Sequence, residues 1–202
     1  MDFKMHLERA WDTTLKNLVM LIFMTLVMIV VSIVTLGILA PVIMAGYIHS
    51  IIQLVRDRRE PRMDDLFSQM RLFLPLLVFC ILLSIVVIIG FTLIIIPGFL
   101  VAMVAAFGCI YMLPLMTDRQ MGLVDALKTS WRMALKENVA DHIVVVILFF
   151  GLMAIGSSIF IGILFTQPFA TVFLASVFLE RMQAMNRIQP PPPPTESDAG
   201  SE

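Results

Sequence analysis

The sequence predicts an all-α integral membrane protein, with six transmembrane helices in three hairpins and amphipathic helices along the membrane interface. Three observations carry that expectation. The chain is 59% hydrophobic and only 14% charged, with a mean hydropathy of +0.96, outside the balance of an ordinary water-soluble domain. The stretches Asn17–Val55, Leu72–Met116 and Ile143–Leu179 contain no Asp, Glu, Lys or Arg, and each is interrupted by turn-forming residues. All 14 Lys and Arg fall between or outside those stretches.

Each stretch is long enough for two spans, because crossing a hydrocarbon core of about 30 Å takes about 20 apolar residues. In the first, Gly37 and Pro41 separate spans over residues 17–38 and 41–58. The second of these is short in uncharged residues, and Arg56 near its end can snorkel. In the second stretch, "LIIIPGFL" from Leu93 to Leu100 makes Pro97-Gly98 the turn between spans 72–95 and 98–117. Pro97 has no N–H to give to the preceding helix, and Gly98 tolerates the backbone of a tight reversal. In the third, "FTQP" from Phe165 to Pro168 separates spans 140–164 and 167–185.

The segment ahead of each stretch has helical periodicity and a charged face: residues 3–16, 62–71 and 121–137. In the third of these, Val124, Leu127, Trp131 and Ala134 or Leu135 share one face, while Asp125, Lys128, Arg132 and Lys136 share another. That is the pattern of an interfacial helix, with Trp131 at headgroup depth. In the first, Lys4, Glu8, Asp12 and Lys16 form a charged stripe opposite Leu7, Trp11 and Leu18. The chain therefore reads as a threefold repeat of roughly 55 to 70 residues, each unit an amphipathic helix followed by a hairpin.

The cations fix an expected orientation. They lie before Asn17, from Arg56 to Arg71, from Arg119 to Lys136 and after Leu179, and the hairpin tips carry none. By the positive-inside rule those four regions and both termini face the cytoplasm, in a plasma-membrane, multi-pass arrangement. The first apolar run is too long for a cleavable signal and follows an amphipathic helix, so no signal peptide is expected. Residues 188–202, with five prolines from Pro190 to Pro194, read as a disordered cytoplasmic tail.

Chemically distinctive groups inside the stretches are few. A buried charge would be the usual pointer to ion coupling or catalysis, and none is present there. Ser157 and Ser158 fall near the expected outer tip while His49 and His142 fall near the inner side, so no nucleophile–base pair is expected. Cys80 and Cys109 have no metal-ligand spacing, and the 16 Met are scattered like gap-fillers, so neither cofactor nor metal is expected. Small residues are more informative. Gly98, Ala102 and Ala106 recur every fourth residue, as do Ala154, Ser158 and Gly162, and Gly46 and Ser50 form a further pair. In lipid such stripes let helices pack closely.

From Leu93 to Asn138 the chain resembles a broad group of poorly characterised prokaryotic membrane proteins, related to the membrane domain that accompanies some glycerophosphodiester phosphodiesterases. The resemblance rests on Ile96-Pro97-Gly98, on Asp118, and on Asp125-Ala126-Leu127-Lys128 with Ser130-Trp131. It implies a six-helix membrane domain and no activity, because the soluble phosphodiesterase domain has no counterpart in this chain.

The expected function is that of a non-catalytic membrane module acting through its cytoplasmic face, by lipid contact, partner recruitment or membrane organisation. Its candidate contacts are the interfacial Trp11, Trp131, Lys128, Arg132 and Lys136 and the cluster Arg56, Arg58, Arg59 and Arg62. The partners would be anionic membrane lipids or an unidentified membrane or cytoplasmic protein, not nucleic acid. Interleaved Asp57, Glu60, Asp64 and Asp65 dilute the arginine cluster. The alternative is a channel or transporter for a neutral or lipidic substrate, which would require a hydrated cavity reaching toward Gln167 and Ser157.

Overall fold

A computed structural model describes residues 3–93, 95–136, 139–157 and 162–188. Its helices are α1 (Phe3–Lys16), α2 (Leu18–Val34), α3 (Ala40–Asp57), α4 (Phe73–Leu93), α5 (Ile95–Cys109), α6 (Met112–Asp118), α7 (Leu123–Lys136), α8 (Val139–Ser157) and α9 (Gly162–Ile188). Two short 3-10 turns, Met63–Phe67 and Met70–Leu72, lead from α3 into α4. Four helical segments are long and apolar enough to cross a bilayer: Met63–Phe91, Val101–Asp118, Val139–Gly156 and Gly162–Met185. A fifth results if α1 and α2, bent by 86° at Asn17, count as one broken span. All regular structure among the described residues is thus helical, with the helices of a multi-pass membrane protein.

Burial sorts the helices into a centre and a rim. Of the apolar window in Gly162–Met185, 61% is buried, against 11% in Met63–Phe91, so α9 is central and α4 is peripheral. The other central helix is α3, which is too polar to pass as a free-standing span. It carries Tyr47, His49, Ser50 and Gln53, and it lies enclosed by α2, α6, α9 and the Met63–Phe67 turn. Wrapping by neighbours rather than by lipid is what lets α3 keep those groups. Around this pair, α8 runs along α9, α4 pairs with α5, and α1 and α2 both rest on α9.

The turns fall differently from the sequence expectation in two of three hairpins. Between α2 and α3 the reversal uses Leu36 and Gly37, both with positive φ (51° and 81°), and Pro41 sits in the first turn of α3. Pro97 and Gly98, however, lie inside α5 rather than between helices. A proline costs little in a first turn, where its missing N–H has no acceptor to serve. Gly98 is instead a contact residue, since a Cβ there would collide with Phe91 of α4. Pro168 likewise lies inside α9, which begins at Gly162, so Phe165–Pro168 is helical where a reversal was expected. Next to this proline, Thr166 donates to the Gly162 carbonyl (3.0 Å) and Thr171 to that of Gln167 (2.8 Å), local bonds of the kind that support a proline within a membrane helix.

Two further expectations change. Residues 62–71 form the two 3-10 turns, not an amphipathic helix. The span expected over 98–117 is broken at Ile110–Tyr111 into α5 and α6, just where Pro114 withholds the N–H that the Ile110 carbonyl would need.

Helix α1 does not lie apart on the membrane surface. His6 meets Ser176 and Glu180, while Trp11 meets Phe165 and Phe169 with ring centroids 5.6 and 5.9 Å apart. The two helices therefore run antiparallel, with the face His6, Ala10, Thr14 buried. Trp11, expected at the inner interface, touches Phe165, expected at the outer tip. Both descriptions cannot hold across about 30 Å of hydrocarbon. The 27 residues of α9 make a rod of about 40 Å, longer than the hydrocarbon core, with α1 alongside it.

Candidate functional site

The charged residues gather where α3 ends and the chain turns back on it. Asp65 is 7% exposed and collects three donors: the Ser50 hydroxyl (2.8 Å), Arg59 Nη2 (2.9 Å) and the Arg62 backbone N–H (3.1 Å). Arg59 also donates to the Gln53 side-chain carbonyl, and Gln53 Nε2 donates to His49 at 3.0 Å. Gly46 makes room for this, because a Cβ there would run into the Asp65 and Leu66 carbonyls. The Gly46–Ser50 pair thus admits a folded-back loop, where a helix was expected.

Arg56 donates to Asp118 at the end of α6 and to the neighbouring Asp57 (3.2 Å). The Asp118 side chain is only 5% exposed and also has Arg119 within 3.9 Å. Two of the four clustered arginines, Arg56 and Arg59, are therefore engaged within the fold. Arg58 caps α3 in the left-handed conformation, φ 55°, and Arg62 is exposed.

The second assembly seats α7. The break after α5 leaves its last carbonyls without helical donors, and side chains from elsewhere take their place. Ser130 donates to the Gly108 carbonyl (2.5 Å) and His142 Nε2 to that of Phe107 (2.8 Å). The Trp131 ring occupies the space a Gly108 side chain would fill. Arg181, 1% exposed, donates to the Met133 carbonyl (3.1 Å), and its guanidinium lies 5.4 Å from the Tyr111 ring centroid. A cation at the C-terminal end of α7 also opposes that helix's dipole. Held this way, α7 presents Lys128 and Arg132 exposed, with no carboxylate paired to either among the described residues. Trp131 is half-buried against α5 instead of standing free in the headgroup layer. The Lys136 side chain lies outside the described residues.

The predicted small-residue stripes are placed unevenly. Gly98 faces Phe91, while Ala102 and Ala106 are half-buried. On α8 the stripe is rotated: Ala154 is exposed, Ser158 lies outside the described residues, and the close approach is made by Gly156 against Thr166 and Gly162. Missing from the sequence reading were Gly108, Gly156, Asp118 as a buried partner, the His6–Glu180 contact and the buried Arg181. Arg181 stands two residues beyond an uncharged stretch, where a solvated position is the natural reading, and no local pattern marks it.

Polar groups of the interior bond within the packed helices. Thr25 and Tyr47 share a hydrogen bond (3.1 Å), and Gln167 donates to the Met44 sulfur (3.5 Å). A cavity of about 530 Å³ opens at the surface by the α1–α2 elbow. Among the described residues no group of three or more His, Cys, Asp or Glu is placed to hold a metal ion. Neither known protein families, nor curated proteins, nor solved structures yield a match to this chain.

Proposed function

We propose that this chain is a membrane module that binds anionic lipid through its cytoplasmic face. In this reading α2, α3, α4, α5 with α6, α8 and α9 are six spans, and both termini are cytoplasmic. The observation that carries it is the way α7 is fixed. Trp131 in the Gly108 notch, Ser130 on the Gly108 carbonyl and Arg181 on the Met133 carbonyl hold an amphipathic helix whose Lys128 and Arg132 have no intramolecular carboxylate among the described residues. A rigidly held basic face loses little freedom on meeting a charged surface. A basic residue beside an anionic leaflet contributes about 1 kcal/mol. Inner polar pairs such as Thr25 with Tyr47, Ser50 with Asp65 and His49 with Gln53 bond to one another, which favours a module over a solute path.

The test is lipid retention by a Lys128→Gln, Arg132→Gln, Lys136→Gln variant. These substitutions keep helix propensity and the apolar face. The variant should insert and fold, and should hold phosphatidylglycerol less well than wild type, with the difference shrinking as salt screens the charges. Unchanged retention at low salt in a folded variant would overturn this reading of α7.

A further inference from the structure

The elbow between α1 and α2 is a second feature with lipid chemistry. Beside the 86° bend lies a cavity of about 530 Å³ whose rim carries Lys16, Asn17, Glu60 and Arg62 and whose apolar lining includes Leu15 and Val19. Lys16 and Arg62 come from different parts of the chain and are both exposed, with no carboxylate within 4.0 Å among the described residues. Glu60 is the single opposing charge, so the rim is net positive.

Below this rim runs an uncovered apolar strip. Val19, Phe23, Leu26 and Val30 are 84%, 54%, 41% and 51% exposed and recur at intervals of four, three and four residues, which places them on one face of α2. The opposite face, Leu21, Met24, Thr25 and Met28, is buried in the bundle. From Val19 to Val30 the strip is about 16 Å long at 1.5 Å per residue, close to half of a hydrocarbon core of about 30 Å. A positive cavity at one end of a one-leaflet apolar track matches an amphiphile with a phosphate head.

We infer that the α1–α2 elbow is a specific site for an anionic glycerophospholipid, with its phosphate between Lys16 and Arg62 and an acyl chain along Val19, Phe23, Leu26 and Val30. The site rests on the lipid-binding reading above but is separate from α7. It binds a molecule where α7 meets a surface.

The chain's two tryptophans allow the sites to be read apart. Trp11 is 47% exposed, one helical turn from Leu15 of the cavity, whereas Trp131 is on α7. Full-length protein is placed in phosphatidylcholine bilayers containing phosphatidylglycerol with brominated chains, and quenching of Trp11 is followed in a Trp131→Phe background. Brominated phosphatidylglycerol should quench Trp11 more strongly than brominated phosphatidylcholine. Lys16→Gln with Arg62→Gln should lower the apparent affinity at least tenfold, as expected from about fivefold per cation. Lys16→Arg with Arg62→Lys should retain it. Should the Trp131 replacement unfold the chain, native mass spectrometry of retained phosphatidylglycerol in the otherwise wild-type chain supplies the same comparison.

An unchanged preference in the Gln double variant overturns the elbow site. A preference at Trp131, read in a Trp11→Phe background, with none at Trp11 also overturns it, while leaving the α7 reading intact. No preference at either tryptophan removes both. Displacement of brominated phosphatidylglycerol by glycerol 3-phosphate as readily as by unlabelled lipid would assign the pocket to a free phosphate ester and overturn the lipid assignment.

Discussion

Trp131 of α7 lies in the notch that Gly108 leaves in α5, so closely that a methyl group at 108 would overlap the indole ring. Residues 23 positions apart thereby fix an amphipathic helix to a membrane helix, and Ser130 adds a hydrogen bond to the same peptide. Gly108→Ala should cost about 1 to 3 kcal/mol, the usual range for overpacking. Part of that loss should return when Trp131→Phe is added, because the smaller ring vacates the notch. Equal unfolding midpoints for wild type and Gly108→Ala in mild detergent would show that the ring moves aside freely.

Glycines in this fold separate into those that admit a neighbour and those that do not. At Gly46 a Cβ meets backbone carbonyls, which cannot swing away as a side chain can, whereas at Gly151 nothing lies within 4 Å. Gly46→Ala should therefore destabilise by about 2 kcal/mol or more, through displacement of the Asp65–Leu66 loop. Gly151→Ala should be neutral or should stabilise by up to about 1 kcal/mol, from helix propensity alone. Thermal unfolding of the two variants side by side checks the contrast, and similar losses at both would refute it.

Arg56 and Asp118 tie α3 to α6, with the arginine half-exposed and the carboxylate nearly enclosed. Arg56→Gln should be the costlier single change, since it leaves an enclosed carboxylate with weaker partners. Asp118→Asn leaves an arginine that water can reach. A double-mutant cycle should give a coupling of about 1 kcal/mol. Additive single effects would mean that the pair contributes nothing to the junction.

The proposed orientation makes a labelling prediction. In a background with Cys80 and Cys109 replaced, a cysteine at Gly37 should react with an impermeant reagent from outside intact cells. Cysteines at Arg58 and Lys128 should react only after the membrane is opened. Labelling at Lys128 from outside would invert or break the proposed arrangement.

Much of the architecture follows from local chemistry that a linear sequence displays. Uncharged stretches, their flanking cations and the 3.6-residue periodicity of α1 and α7 mark a helical membrane chain and locate those two helices. Proline and glycine were less reliable markers of reversals, since Pro97, Gly98 and Pro168 all lie inside helices. A first turn has no use for the N–H that proline lacks, and a membrane helix can support an internal proline with neighbouring threonine bonds. Hydropathy alone does not mark α3 as a free-standing span, and its polar residues are sheltered by neighbouring helices.

What only the tertiary structure decided is which charges are already engaged. In the sequence Arg56, Arg58, Arg59 and Arg62 form one basic cluster. In the fold Arg56 is tied to Asp118 and Arg59 to Asp65, while Arg62 stands with Lys16 at the elbow. A charge pattern along the chain gives the sign of a region. Whether a given cation meets a carboxylate depends on how the chain packs, by a short fold-back for Arg59 and Asp65 and across 62 positions for Arg56 and Asp118.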